Sequence, residues 1–161
     1  MGDESWNLDG LGLRDHSWGP RSWQAPWWYR WLTGNLGPDH GFALSLIAGQ
    51  DGSRHASGVI LRDGRYEQVR ELSVDSDWTD GHRYHRSLRA HVVTDEGTYE
   101  IEGSVLNLVP LRNRRTAPDG ARLVTRISEG LTRWTLDGRT GHGWSEYLDQ
   151  IVDGVPVGVE G

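Results

Sequence analysis

The chain has 161 residues, a net charge of −6 at pH 7 and no cysteine. Its length suits one domain with a core of its own, and no disulfide framework, thiolate metal site or thiol nucleophile can be built from it. The acidic balance argues against nucleic acid or an anionic membrane as the main partner, and no apolar run approaches the roughly 20 residues of a membrane span.

All 17 basic residues are arginine, which removes Schiff-base chemistry. The N-terminus lacks a charged-then-apolar signal pattern, so the expectation is a soluble, cytoplasmic protein. With one Phe and one Met, the core must rest on Leu, Val, Ile and Trp.

In chain order, residues 1–11 read as a flexible, Gly-rich lead-in, 12–150 as a single β domain and 151–161 as a tail. Six of the nine tryptophans fall in the first 31 residues, around Arg14-Asp15-His16-Ser17-Trp18-Gly19. Trp27 to Leu36 reads as a strand, with Trp27, Tyr29 and Trp31 on one face and Trp28, Arg30 and Leu32 on the other. A turn at 37–41 leads to an apolar strand, Phe42 to Ala48. Strands are expected at Arg54–Leu61 and Tyr66–Val74, joined by a tight Asp63-Gly64 hairpin turn. Asp75 to Gly81 reads as a polar turn.

His82–Thr94 and Thr98–Val109 form a second hairpin, and Pro110 to Gly120 reads as the longest loop. Arg122–Ser128, Leu131–Leu136 and Gly141–Leu148 are expected to follow as strands, with Asp137-Gly138 turning the chain. Glycine inside the last strand marks a bend or a close backbone approach. About eight strands at short spacing, with hardly a helical period, predict an all-β antiparallel sandwich or barrel.

Asp15 and His16 are the first candidates for chemistry. Neighbours in an extended segment face opposite ways, but a turn before Gly19-Pro20 would let them converge. A carboxylic acid among aromatic side chains has its charged form disfavoured and can donate a proton near neutral pH. Trp and Tyr faces would hold developing positive charge. Glu146, close to His142 and Trp144, is a second candidate acid or base, with an arginine ion pair as its bland alternative.

The seven histidines form no HExxH or His-x-His pattern, and His82 and His85 fall on opposite strand faces, so no metal site is expected. There is no G-x-S-x-G and no phosphate loop, which argues against serine hydrolase and nucleotide chemistry. Arg112, Arg114 and Arg115 read as a solvated loop.

The segment Arg14-Asp15-His16-Ser17-Trp18-Gly19, the aromatic strand after it and the late Gly141-His142-Gly143-Trp144-Ser145-Glu146-Tyr147 resemble the lipocalin-like (calycin) superfamily. That superfamily contains bacterial carotenoid hydratases (hydroxyneurosporene synthases), AttH-type proteins, tocopherol cyclases and many domains of unknown function. The resemblance implies two tandem barrels, of which this chain looks like the C-terminal one, and an acid beside aromatics that protonates an alkene, at the position of Asp15. The expected fold is an all-β, antiparallel lipocalin-like barrel or half-barrel of about eight strands.

Three functions follow as expectations. The first is binding of a hydrophobic small molecule (terpenoid, steroid or polyene-like) in a pocket lined by Trp18, Trp23, Trp28, Tyr29, Trp31, His142 and Trp144. The second is an acid-catalysed hydratase, cyclase or isomerase with Asp15 as donor, aided by His16 and Glu146. The third is a non-catalytic half that packs on a partner barrel, either a second copy or a separately encoded one. No cofactor is expected.

Overall fold

In the computed structural model, which describes residues 4–20 and 22–159, alternation of side chains drives the chain into eight long strands. They are β1 (Trp28–Gly37), β2 (His40–Ala48), β3 (Arg54–Arg62), β4 (Arg65–Trp78), β5 (His85–Thr94), β6 (Thr98–Thr116), β7 (Arg122–Leu136) and β8 (Arg139–Val152). Each pairs antiparallel with the next, and β1 also pairs with β8, from Trp28 opposite Asp149 to Asn35 opposite His142. The barrel is therefore closed and the half-barrel alternative is corrected. Closure gives the backbone donors of β1 and β8 partners that an open sheet would leave to solvent. A two-residue β9 (Val155–Pro156) adds to the end of β8, and a 3-10 turn spans Asp80–His82. Among the described residues no helix is long and apolar enough to cross a membrane.

Three Asp-Gly pairs turn the chain with both residues at positive φ: Asp63-Gly64 (50° and 74°), Asp137-Gly138 (50° and 74°) and Asp153-Gly154 (50° and 83°). This is the twist that two-residue hairpins favour, so the first two turns match expectation. The third joins β8 to β9 inside what reads as a tail.

Four other boundaries differ from the sequence reading. Most of Pro110–Gly120 is strand, not loop: β6 continues to Thr116 and pairs with β7 from Glu102 onward, leaving only 117–120 to turn. β5 pairs with β6 only as far as Ser104, so this stretch has one free edge and tolerates a proline without an N–H. Asp75–Trp78 belongs to β4, because Asp75, Ser76 and Asp77 pair with β5 while only alternate residues meet the interior. Arg122 to Leu136 is one strand, with Glu129-Gly130 paired to β8. β5 starts at His85, since His82 sits at φ 51° in the 3-10 turn.

Apolar side chains pack the middle of the barrel. Trp28, Leu32 and Leu36 of β1 point inward with Phe42, Leu44, Ile60, Val92, Ile101 and Trp134. Trp134 is fully buried and meets Phe42 edge-on, ring centroids 5.1 Å apart at 85°. Its space exists because Gly103 stands opposite it, where a Cβ would run into the indole ring. The glycines of β8 serve the seam: a Cβ on Gly141 or Gly143 would strike the carbonyl oxygens of Asn35 and Thr33. The close backbone approach expected of this Gly-rich strand is thus made with β1.

Candidate functional site

With apolar side chains packing the middle of the barrel, attention moves to the outer face of β6, β7, β8, β1 and β2. Register places Val109, Glu129, Glu146, Trp31 and Ser45 in one row across the five strands. The row on one side is Leu111, Ile127, Leu148, Tyr29 and Ile47. On the other side Leu131, Trp144 and Thr33 are neighbours. Two carboxylates thus face each other in an otherwise apolar and aromatic surface.

The chain before β1 is tied over part of this face. Gln24 Nε2 donates to Asn113 Oδ1 (3.1 Å) and Thr125 Oγ1 (3.2 Å). Gln150 Nε2 donates to the carbonyls of Trp23 (2.8 Å) and Pro26 (2.9 Å). Further upstream, Leu11, Leu13 and Asp15 line a cleft of about 730 Å³ with Trp31, Trp144 and the two glutamates. A hollow of about 380 Å³ adjoins it, lined by Asp15, Ser17, Tyr29, Trp31 and Glu146 among others.

Glu129 and Glu146 form the electrostatic centre. The Tyr29 hydroxyl donates to Glu146 Oε1, and Glu129 Oε2 is buried with no hydrogen-bond partner among the described residues. Burial first, and then the charge and hydrogen bond of Glu146, push the Glu129 carboxyl up to about 7. One proton shared by the pair resolves both problems: Glu129 protonated donates to Glu146, and the like-charge contact vanishes.

This arrangement has a testable pH signature. A carboxyl whose folded pKa is raised binds its proton more tightly when folded. Its stabilising contribution is full below about 4.5, its ordinary value, and is lost as pH rises through about 7. Urea unfolding should therefore show a loss on the order of 1–2 kcal/mol between pH 5 and pH 8, after discounting for partial exposure. Glu129→Gln should flatten that difference. An equal pH slope in both proteins would show that Glu129 is not the source of the effect.

The cleft gathers Asp15, Trp31, His142, Trp144 and Glu146, residues drawn from both ends of the chain, with Tyr29 in the adjoining hollow. Asp15 accepts a hydrogen bond from Ser17 Oγ (3.2 Å), while the His16 ring packs on Trp18, centroids 5.1 Å apart, so the two neighbours turn to different partners. Trp18 is 82% exposed. Trp23 contributes its carbonyl to the tie over β7 and β8. Trp28 lies on the other side of the wall, buried in the core. Glu129 is hard to find in the sequence because Glu129-Gly130 reads as a break between two strands. Its place in the alternation of one long strand was the available signal.

A second polar group, also hard to find in the sequence, lies inside. Arg30 and Asp149 are a buried ion pair at 3.1 Å. The His85 ring stacks on Tyr147 at 3.8 Å, and its Nε2 meets Ser145 Oγ at 2.8 Å. Burial, and then the Arg30 charge, lower His85 to about 3, so it is neutral at physiological pH. Burial pushes the Tyr147 hydroxyl up to about 12. Ser145 is fully buried and His85 Nδ1 has no carboxylate partner, so the pair lacks the oriented base and open nucleophile of a hydrolase.

A family model described as "Domain of unknown function (DUF7064)" matches residues 1–151, and the chain belongs to that family. No curated protein and no solved structure matches the chain.

Proposed function

We propose that the protein binds a hydrophobic small molecule of terpenoid, steroid or polyene type on the outside of its barrel. The observation that carries this reading is the aromatic cleft under the N-terminal segment. Trp31 and Trp144 flank a facing carboxyl pair, and Leu11, Leu13, Val109 and Leu131 supply apolar surface. An apolar cleft with a few convergent polar groups and a perturbed pKa is the usual composition of a ligand site. The resemblance to lipocalin-like hydratases agrees with this ligand class.

The test is intrinsic tryptophan fluorescence against a panel of such ligands. Saturable quenching is expected, with affinity weakened at least about tenfold by Trp144→Ala, the loss of roughly one aromatic wall. Quenching that survives Trp144→Ala and Trp31→Ala unchanged would move the site elsewhere.

The carboxyl pair favours a second reading within the same cleft, acid-catalysed hydration or isomerisation of the bound alkene. The proton donor we assign in that reading is Glu129, whose proton is held near neutral pH, with Glu146 as its conjugate partner. Asp15 lines the same cleft and is the alternative donor, with His16 one residue away. Loss of turnover in Glu129→Gln with activity kept in Asp15→Asn would decide for Glu129, and the converse for Asp15.

A further inference from the structure

Two arginines are buried on the inward side of the wall where β8 runs out, and their surroundings differ sharply. Arg30, 3% exposed, donates to both oxygens of Asp149 (3.1 and 3.2 Å) and to the carbonyls of Gly158 (2.7 Å) and Tyr29 (2.9 Å). Arg126, 7% exposed, has its Nε and Nη2 groups buried with no hydrogen-bond partner among the described residues. The Tyr84 ring lies 4.8 Å from its guanidinium carbon.

No neighbour of Arg126 accepts from its Nε or Nη2. Asp149 stands opposite it across β7 and β8, but is already engaged by Arg30 and by the Gly158 backbone N–H. On the other flank its register partner is Arg112, a second cation. His85 is neutral, and its Nδ1 is likewise buried without a partner. A buried charged donor left without an acceptor is strongly unfavourable, and native structures rarely carry one without a reason.

Nε and Nη2 form one edge of the guanidinium fork, with two parallel N–H groups spaced for the two oxygens of a carboxylate. We infer that Arg126 anchors an anion site on the inner wall that takes the carboxylate of a small organic acid, with Tyr84 against the guanidinium and Arg112 adding charge. A single fork beside a neutral histidine suits a monoanion better than a phosphate dianion. Arg126 faces inward and Glu129 outward, so this site is separate from the aromatic cleft and does not depend on the function proposed for it.

The experiment follows the side-chain Nε–H resonances of the ¹⁵N-labelled full chain, with the Arg126 signal assigned by its absence in Arg126→Lys. Sodium acetate should move this resonance saturably while Arg30 stays in place, and sodium chloride at matched ionic strength should not move it. Absence of movement, equal movement with chloride, or movement with inorganic phosphate alone would overturn the inference. A thermal measurement adds a second readout. In chloride buffer Arg126→Met should raise Tm by about 2–4 °C, because an uncompensated buried charge is removed, and should abolish the rise that acetate produces in the parent protein. Arg126→Lys should not restore the acetate response, since a point charge cannot reproduce the fork. A fall in Tm on Arg126→Met would mark a structural arginine and sink the proposal.

Discussion

Asp149→Ala is expected to destabilise the protein by about 3–5 kcal/mol, the range for breaking a buried ion pair by removing one partner. Asp149 is 1% exposed and compensates Arg30 through both its oxygens. Without it the guanidinium stays among Tyr147 (4.1 Å), Trp28 (4.9 Å) and Trp78 (5.7 Å), whose faces attract a cation but accept no hydrogen bonds in the plane of the fork. The same carboxylate accepts the Gly158 backbone N–H at 3.0 Å, so its loss should also release the segment after β9. Urea unfolding at pH 7 reads the first effect, and faster amide exchange at Gly158 reads the second. The double variant Arg30→Met with Asp149→Leu should recover part of the loss, because the Arg30 charge is removed along with its partner, while Arg126 still loses the anion opposite it. A single-variant loss below about 1 kcal/mol would show that Arg30 finds another acceptor and that the pair is not what holds this end of the barrel.

Trp134→Ala should be of similar size, about 3–5 kcal/mol, through lost burial and the cavity left behind. The cavity cannot collapse easily. The ring is accommodated by Gly103, which has no side chain to swing inward, and by the edge of Phe42, which the cross-strand pairing of β1 and β2 holds in place. This makes the coupling between the sites informative. Gly103→Ala in the parent protein forces a Cβ against the indole and should lose about 1–3 kcal/mol. In the Trp134→Ala background the indole clash is gone and only the end of Leu88, 2.9 Å from that Cβ, has to give way, so the same methyl should cost much less or be stabilising. A double-mutant cycle by urea unfolding gives the coupling directly, and additive losses would show that the two residues are not in the contact described.

Both predictions concern residues that reading the chain undervalued. Arg30 was placed on the correct face of β1, opposite Tyr29 and Trp31, yet its partner lies 119 positions away and nothing local points to it. The spacing of His82 and His85 alone says only that they do not share a metal on one strand face. In the barrel His85 is a neutral core histidine against Ser145 and Tyr147, while His82 sits in a turn. The aromatic density near the N-terminus did mark the outer cleft through Tyr29 and Trp31. It also drew in Trp28, which packs in the core, and Trp18, which is exposed.

What the sequence determined by itself is what period two and turn chemistry encode. It set the all-β class, a count of about eight strands, the Asp63-Gly64 and Asp137-Gly138 turns and the division of β1 into two faces, because these depend on neighbours within a few residues. It also marked the Gly-rich strand as a place of close approach. It left open which face of β1 looks inward, since both carry tryptophan and alternation alone has no sign. The tertiary structure settled that by closing β1 on β8. Closure sends Trp28, Arg30 and Leu32 to the interior and brings Trp31 beside Glu146, which stands opposite Glu129. The carboxyl pair, the Arg30–Asp149 bridge and the unpartnered Arg126 all arise from register between strands distant in sequence. A shift of one residue would turn each of those side chains to the other side of the wall.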